Sequence, residues 1–295
     1  MKKTIFTGAG VAIITPMNAD GSANWEKLKE LIDFQIGAGT DAIIVCGTTG
    51  ESAALTHEEH VQAIETAVRH AAGRVPVIAG TGSNDTRYAL ELSLEAQKLG
   101  VDGLLMVTPY YNKTSQAGLI AHYEYVADRV KTPIILYNVP SRTGVNIKPE
   151  TYQALAKHPN IAAAKEANGD LAALAQTLYL CGDDLDIYSG NDDQIVPILS
   201  LGGKGVISVL SNVAPAVCHQ ICVNYREGRV KESAALQLQY IGLIQALFAD
   251  VNPIPVKEAM NLMGMNVGPC RLPLVSMAEQ AREALSGVLK GFHLI

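Results

Sequence analysis

The feature of this sequence that most limits its fold is the alternation of eight short β-rich segments with longer segments of helical periodicity. This alternation is typical of parallel strands joined by helical crossovers, and eight strands are the number that closes a barrel. The predicted strands occupy residues 11–15, 42–46, 76–79, 104–108, 134–138, 161–165, 186–189 and 205–209. The pattern therefore predicts an α/β fold of the (β/α)8 TIM-barrel class.

The helical segments are less uniform than the strands. Residues 61–71 place apolar side chains three and four positions apart, as a helix requires. Residues 88–99 contain alternating leucines, as a strand would, but the length of the segment and the spacing of Glu91 and Glu95 favour a helix. After a helix at about 215–227, the remaining chain predicts helices at about 230–248, 255–263 and 276–289. We therefore divide the chain into a barrel, residues 1–228, and a small C-terminal three-helix domain, residues 229–295.

Length and composition agree with this division. A complete barrel needs roughly 250 residues, so a chain of 295 residues has room for one barrel and a short appendage. Apolar residues make up 48% of the chain and charged residues 18%, which suits a large buried core. The net charge of -6 argues against a nucleic-acid partner, because phosphate backbones bind clustered basic residues.

The sequence predicts neither a membrane protein nor an exported one. No apolar run approaches the roughly 20 residues that a membrane span needs, and Gly8 and Gly10 interrupt the amino-terminal apolar stretch. The five cysteines are an odd number and form no Cys-x-x-Cys motif, which favours reduced thiols. We therefore expect a cytoplasmic protein.

Two segments superficially match metal sites. Cys218 and Cys222 lie one helical turn apart among apolar neighbours, which favours packing thiols over metal ligands. His57 and His60 are three residues apart, whereas a zincin helix needs its histidines four apart. The glycine pair after the third strand lacks the third glycine of a dinucleotide fingerprint. We predict no metal site and no nucleotide cofactor.

Lys165 occupies a position that predicts chemistry. It ends a predicted strand made otherwise of small apolar residues, and reacting groups of a closed barrel lie at the carboxyl ends of strands. Desolvation there disfavours the charged amine, and a neutral amine can attack a carbonyl. A lysine that reaches solvent, or that pairs with Glu166, is the alternative, and this segment by itself leaves it open.

Two further groups fall at the same end of the predicted barrel. Tyr137 ends the preceding strand, and because neighbouring strands lie about 5 Å apart its phenol can reach the lysine and carry protons. The loop 47–52, Gly-Thr-Thr-Gly-Glu-Ser, offers free N–H groups and two hydroxyls, which suit a small carboxylate. Taken singly, a packed tyrosine and a helix-capping turn are the simpler interpretations. The conjunction of all three groups favours chemistry.

Several motifs resemble those of the N-acetylneuraminate lyase and dihydrodipicolinate synthase superfamily, and they span nearly the whole chain in order. They are Gly47-Thr48-Thr49-Gly50-Glu51, Thr108-Pro109-Tyr110-Tyr111-Asn112, Tyr137-Asn138-Val139-Pro140, Ser141-Arg142-Thr143-Gly144, Lys165-Glu166, Gly205-Val206-Ile207-Ser208 and Asn252-Pro253-Ile254-Pro255-Val256-Lys257. Arg142 discriminates within the superfamily, because a guanidinium suits a second substrate with its own carboxylate, whereas sugar-acid lyases need hydroxyl-binding groups there. The chain therefore resembles the dihydrodipicolinate synthase family most closely.

This resemblance implies a lyase of lysine and diaminopimelate biosynthesis. It implies that pyruvate condenses with L-aspartate 4-semialdehyde to 4-hydroxy-tetrahydrodipicolinate through a lysine imine, without a cofactor. The implied catalytic residues are Lys165, which forms the imine, and a proton relay of Thr48, Tyr111 and Tyr137. The implied substrate-binding residues are Thr49 for the pyruvate carboxylate, Arg142 for the semialdehyde carboxylate, and Gly190 and Ile207, whose backbone lies close to pyruvate.

The resemblance also implies a homotetramer, a dimer of dimers in which Tyr111 serves the active site of a neighbouring subunit. An allosteric lysine site at the dimer interface is matched at Ala53, His60, Asn84 and Tyr110. Tyr88 departs from the pattern, because it stands where lysine-inhibited members have glutamate. Loss of that carboxylate removes a charge-assisted contact worth roughly 1.5–3 kcal/mol. Our hypothesis is that lysine inhibits weakly or not at all.

Three other functions fit parts of the sequence. A lyase for a sugar acid or a hydroxy-oxo acid shares the lysine chemistry, but Arg142 argues against it. A non-catalytic relative that binds a keto acid is disfavoured by the intact set of site residues. A pyridoxal phosphate enzyme needs a phosphate-binding loop near the last two strands, for which Gly202-Gly203 is thin support.

Overall fold

The computed structural model describes residues 2–295 and contains a closed barrel of eight parallel strands in chain order. Each strand is hydrogen-bonded to the next, and the last strand returns to the first. The strands are β1 Gly8–Ala12, β2 Ala42–Val45, β3 Val77–Gly80, β4 Gly103–Val107, β5 Ile134–Asn138, β6 Ile161–Glu166, β7 Asp186–Ser189 and β8 Gly205–Ser208. The predicted TIM barrel is confirmed.

Helices connect the strands and continue beyond the last one. They are α1 Trp25–Gly37, α2 His57–Ala71, α3 Thr86–Leu99, α4 Gln116–Ala127, α5 Pro140–Thr143, α6 Pro149–Leu155, α7 Leu171–Cys181, α8 Ile195–Ser200, α9 Pro215–Arg226, α10 Val230–Gln239, α11 Ile241–Leu247, α12 Ile254–Leu262 and α13 Glu279–Gly291. The ambiguous segment 88–99 is helical, as predicted, and lies within α3. The single helix predicted at 230–248 is wrong, because α10 and α11 meet at Tyr240. The Tyr240 ring packs on Phe292, with ring centroids 4.9 Å apart.

Glycine closes the barrel at the seam between β1 and β8. Gly8 pairs with Gly205 there, at φ angles of 115° and 155°. A Cβ atom on Gly205 would lie 1.8 Å from the Gly8 carbonyl oxygen, so no side chain fits at this position. The predicted first strand, residues 11–15, is therefore wrong at its start. Gly8 and Gly10, which interrupt the apolar pattern, belong to the strand, and a Cβ atom on either would collide with a neighbouring side chain, that of Asp41 or Ile44.

The interior of the barrel is a packed core with one filled end. Its buried residues include Ile44, Ile78 and Leu105 from the successive strands β2, β3 and β4. At the amino-terminal end, Phe6 stacks on Tyr188 with ring centroids 4.3 Å apart, and the Tyr188 hydroxyl donates to the Phe6 carbonyl at 2.6 Å. A site for small molecules is therefore expected at the opposite, carboxyl end of the strands.

The C-terminal helices pack partly on the barrel and partly on one another. α10 contacts α9, where Ser233 Oγ donates to the Ile221 carbonyl at 2.7 Å. α11, α12 and α13 contact one another, and Leu285 and Leu289 of α13 are buried. The domain boundary at residues 228 and 229 stays a prediction. None of the helices between residues 2 and 295 combines the length and the apolarity that spanning a bilayer demands.

Candidate active site

Lys165 and Tyr137 lie side by side at the carboxyl ends of neighbouring strands. β5 and β6 pair with Tyr137 opposite Lys165, so both side chains leave the sheet on the same face. The Lys165 amine lies 4.3 Å from the centroid of the Tyr137 ring. Lys165 is 5% exposed and Tyr137 is 7% exposed. The lysine therefore does not extend to solvent, which was one alternative for this position.

Glu166 does not pair with Lys165, because successive residues of a strand point to opposite faces. Its carboxylate accepts hydrogen bonds from Asn138 Nδ2 at 3.0 Å and from the Tyr152 hydroxyl at 2.8 Å. Burial raises the pKa of Glu166, and these hydrogen bonds act in the opposite direction. The carboxylate is thus occupied elsewhere, and the second alternative for Lys165 does not apply.

A buried carboxylate that the sequence analysis does not single out lies beyond the neighbouring strand β7. Asp192 is 2% exposed, and its Oδ2 accepts the N–H groups of Val209 at 3.1 Å and Leu210 at 2.8 Å. Burial raises the pKa of Asp192, whereas hydrogen bonds from Ser208 and the backbone, and the positive charge of Lys165, lower it. The positive charge of Lys165 therefore favours the ionised form of a buried carboxylate.

The loop 47–52 presents free backbone N–H groups, as expected of a carboxylate site. Within residues 2–295, the N–H groups of Thr48 and Thr49 have no hydrogen-bond acceptor. Thr15 Oγ1 donates to the Gly50 carbonyl at 2.7 Å and fixes the turn. The Thr49 hydroxyl accepts a hydrogen bond from Asn252 Nδ2 at 3.0 Å, which leaves its own proton available to a ligand.

A cavity of about 500 Å³ opens beside this loop. Its lining residues include Thr48, Arg142 and Asn252. Within residues 2–295 they do not include Lys165 or Tyr137. Arg142 lies on α5, and its Nη2 donates to the Asn252 carbonyl at 3.2 Å. A guanidinium in the wall of a cavity is a receptor for a carboxylate. The mouth therefore offers two carboxylate-binding groups, the loop and Arg142.

Tyr111, a predicted catalytic residue, lies on the surface and is not buried with Lys165 and Tyr137. Its side chain is 91% exposed, and its φ of 68° lies in the left-handed region that tyrosine rarely adopts. The neighbouring Tyr110 lines the cavity instead. Within one subunit the predicted relay of Thr48, Tyr111 and Tyr137 is incomplete.

Gly190 and Ile207 both lie near the Lys165 end of the barrel. The Gly190 N–H donates to the Glu166 carbonyl at 2.7 Å, and a Cβ atom on Gly190 would lie 2.6 Å from Ala167 Cβ. Ile207 is fully buried in β8 and belongs to the same interior cluster as Tyr137. Their contact with pyruvate stays a prediction.

A buried ion pair that the sequence analysis misses holds the carboxylate loop. Glu51 adopts a left-handed φ of 53°, a costly conformation for a residue other than glycine. Its carboxylate accepts hydrogen bonds from Lys257 Nζ at 2.8 Å and from the Arg271 N–H at 2.8 Å. Lys257 is 1% exposed and donates also to the Thr15 carbonyl. The signal in the sequence is the motif at residues 252–257, which carries the lysine.

The residues matched to an allosteric lysine site lie mostly together. Ala53, His60 and Tyr110 line the cavity, and so does Tyr88. Asn84 is outside the lining, and its carbonyl accepts from the side chain of Asn112. Burial lowers the pKa of His60, whose Nε2 lies 2.7 Å from the Gly80 carbonyl. Neither His60 nor Tyr88 therefore offers negative charge to the cationic ligand of the predicted site.

Cys218 and Cys222, which were weighed as metal ligands, are both fully buried. Burial raises the pKa of Cys222, and Cys218 Sγ lies 3.4 Å from Ser208 Oγ. His219 Nδ1 contacts Asp41 at 2.9 Å. These contacts agree with packing thiols and a surface ion pair.

A second surface group has the spacing of metal ligands. Ligand atoms of His57, Glu91 and Glu95 lie within 4.8 Å of one another, and His57 Nε2 is 3.3 Å from the Glu95 carboxylate. The three side chains are partly or fully exposed, as in ordinary surface ion pairs. These three residues lie on helices α2 and α3, and they take no part in the site described above.

The site combines a buried lysine beside a phenol, an arginine in a cavity wall and a loop of free N–H groups. Together they define a TIM-barrel protein equipped for carboxylate-bearing carbonyl compounds. The model of the Dihydrodipicolinate synthetase family matches residues 5–291. The chain belongs to this family, as its motifs indicate.

Individual relatives agree with this assignment. The chain is 54% identical over 292 residues to a 4-hydroxy-tetrahydrodipicolinate synthase of Thermoanaerobacter sp. (strain X514), covering 99% of this chain and 98% of that one. The crystal structure of the chloride-inhibited dihydrodipicolinate synthase from Acinetobacter baumannii, complexed with pyruvate, superposes with a TM-score of 0.97 at 42% identity, over 99% and 100% of the two chains. The crystal structure of DHDPS from Cyanidioschyzon merolae with lysine bound has a TM-score of 0.96 at 39% identity, over 99% and 100% of the chains.

Replacing Lys257 by methionine tests the buried ion pair. Removal of one partner leaves the Glu51 carboxylate buried and uncompensated, so we expect Lys257→Met to lower the free energy of unfolding by about 3–5 kcal/mol, measured by urea denaturation. The control is Lys29→Met, which breaks an exposed pair with Glu26 and is expected to cost less than about 1 kcal/mol. Equal losses in the two variants would contradict a structural role for the Glu51–Lys257 pair.

Proposed function

We propose that this protein condenses pyruvate with L-aspartate 4-semialdehyde to 4-hydroxy-tetrahydrodipicolinate, an early step of lysine and diaminopimelate biosynthesis. The observation that carries the proposal is the buried Lys165 amine, which lies against Tyr137 in the mouth of the barrel. The names of the relatives support the product, 4-hydroxy-tetrahydrodipicolinate, and the bound pyruvate of the Acinetobacter baumannii enzyme supports the keto acid.

The chemistry follows from an amine and a proton carrier in contact. Lys165 attacks the keto carbon of pyruvate, and loss of water gives an imine. Loss of a methyl proton converts the imine into an enamine, whose carbon attacks the aldehyde of the second substrate. The amino group of that substrate then displaces Lys165 and closes the ring. Tyr137, with Thr48, moves the protons that these steps gain and lose.

The two carboxylate receptors divide between the two substrates. The backbone N–H groups of Thr48 and Thr49, with the Thr49 hydroxyl, suit the small carboxylate of pyruvate. Arg142 suits the carboxylate of the semialdehyde, because a guanidinium binds such a group through two parallel hydrogen bonds. The imine serves as the electron sink, so the reaction needs no further cofactor.

Trapping the imine tests the nucleophile. Borohydride reduction in the presence of pyruvate should attach a reduced adduct to Lys165, located by peptide mass mapping. Lys165→Met should lower turnover on the order of 10³-fold or more, since the covalent route is lost.

Lys257 is the matched internal control, because it is as deeply buried as Lys165 but engaged by Glu51. An adduct on Lys257, or full activity of Lys165→Met, would overturn the mechanism. Steady-state rates of the wild type with sugar acids exceeding those with aspartate semialdehyde would favour a different lyase of the superfamily.

We propose further that the protein acts as a homotetramer. The exposed Tyr111 supports one contact, because a phenol that leaves its own subunit can complete the relay of a neighbour. The apolar helix α7 supports a second contact, since its outer positions carry Ala172, Ala175 and the 85% exposed Tyr179.

We also propose a cytoplasmic location, which is supported by the five cysteines, all of them free.

Mixing two inactive variants tests the shared active site. Lys165→Met lacks the nucleophile and Tyr111→Ala lacks the relay, so each alone should be nearly inactive. Mixed subunits that exchange should recover roughly a quarter of wild-type activity, because half of the dimers formed at random are mixed and each holds one complete site. Absence of recovery, with subunit exchange verified by native mass spectrometry, would show that Tyr111 does not act across an interface.

Inhibition by lysine tests the departure at Tyr88. We expect the wild type to be inhibited weakly or not at all, because no carboxylate stands at position 88. Tyr88→Glu should tighten inhibition by roughly 10-fold or more, as a charge-assisted contact returns. Nanomolar to low-micromolar inhibition of the wild type in a rate assay would refute the hypothesis.

A further inference from the structure

Asn252 connects the C-terminal appendage to both carboxylate receptors of the barrel mouth. Its side-chain nitrogen donates to Thr49 Oγ1 at 3.0 Å, and its backbone carbonyl accepts from Arg142 at 3.2 Å. The residue is 6% exposed and lines the cavity that Arg142 also lines. One residue thus holds two groups that are distant in the sequence and lie on different barrel loops.

The hydrogen bond to Thr49 has a definite chemical consequence. A hydroxyl that accepts one hydrogen bond directs its own proton elsewhere. The backbone N–H groups of Thr48 and Thr49 are already free for an anion. With the amide as donor, the hydroxyl becomes a third donor of the carboxylate loop. Without it, the hydroxyl can rotate and accept or donate in several directions.

The other end of the same amide argues against a purely structural role. Within residues 2–295, Asn252 Oδ1 is buried and has no hydrogen-bond partner. An unpaired buried amide oxygen destabilises a fold, and such groups in native proteins call for an explanation. The contact with Thr49 is the one that the side chain does make.

We propose that Asn252 is a positioning residue whose side chain orients Thr49 towards the pyruvate carboxylate, while its backbone carbonyl orients Arg142 towards the second substrate. This inference deepens the proposed function and rests on it. The side chain therefore serves pyruvate, and the main chain serves the aldehyde.

Because the two contacts leave from different parts of the residue, a side-chain replacement separates them. Asn252→Ala keeps the carbonyl and removes the amide, so the KM for pyruvate should rise about fivefold to tenfold. The KM for aspartate semialdehyde should change less than about twofold. In a Thr49→Val background the same replacement should add less than about twofold to the pyruvate KM, because its partner is already gone.

Asn252→Asp keeps the shape of the side chain and guards against a variant that fails to fold. A carboxylate beside the pyruvate carboxylate repels it, so the pyruvate KM should exceed that of Asn252→Ala and fall as acid protonates the new group. Asn261→Ala is the structural control, since Asn261 makes three hydrogen bonds to Val267 and Gly268 in the same appendage. It should lower Tm and leave the pyruvate KM unchanged.

An unchanged pyruvate KM in Asn252→Ala, equal rises of both KM values, or full additivity with Thr49→Val would overturn the positioning role. Failure of the proposed function has a different signature. In that case the wild-type protein itself would not consume pyruvate with aspartate semialdehyde.

Discussion

Closure of the sheet between β1 and β8 is the constraint on which the rest of the structure depends. The seam forms because Gly8 and Gly205 present only backbone to each other, with no room for a Cβ atom on Gly205. A closed sheet has no free edge, and it gathers the carboxyl ends of all its strands at one mouth. Lys165, Tyr137 and the loop 47–52 become neighbours for that reason, although they are far apart in the chain.

The C-terminal appendage is as much a part of the mouth as the barrel loops are. Lys257 and Arg271 hold the Glu51 carboxylate, and Asn252 holds the Thr49 hydroxyl. These contacts fix a loop whose Glu51 backbone would otherwise be unfavourable. A boundary drawn through the chain at residue 228 would therefore separate Asn252, Lys257 and Arg271 from the loop that they hold.

The features that could be predicted from the sequence are those that depend on residues close together in the chain. Strand number, and the placing of Lys165 and Tyr137 at strand ends, follow from periodicity over a few residues. The start of β1 and the break at Tyr240 were not predicted, and both positions have their contacts, Gly205 and Phe292, elsewhere in the chain. Asn252 was missed as a contact of Thr49 for the same reason, since 203 positions separate the two.

The stack of Phe6 on Tyr188 has a consequence for traffic through the barrel. It closes the end opposite the lysine. In the proposed reaction the keto acid would therefore enter by the mouth, and the water expelled in imine formation would leave the same way. Arg142 stands in the wall of the cavity beside the loop 47–52, at the same end of the barrel. Under the proposed function, an aldehyde bound at Arg142 would obstruct the departing water, so we expect the smaller acid to bind and lose water first and its partner to arrive second.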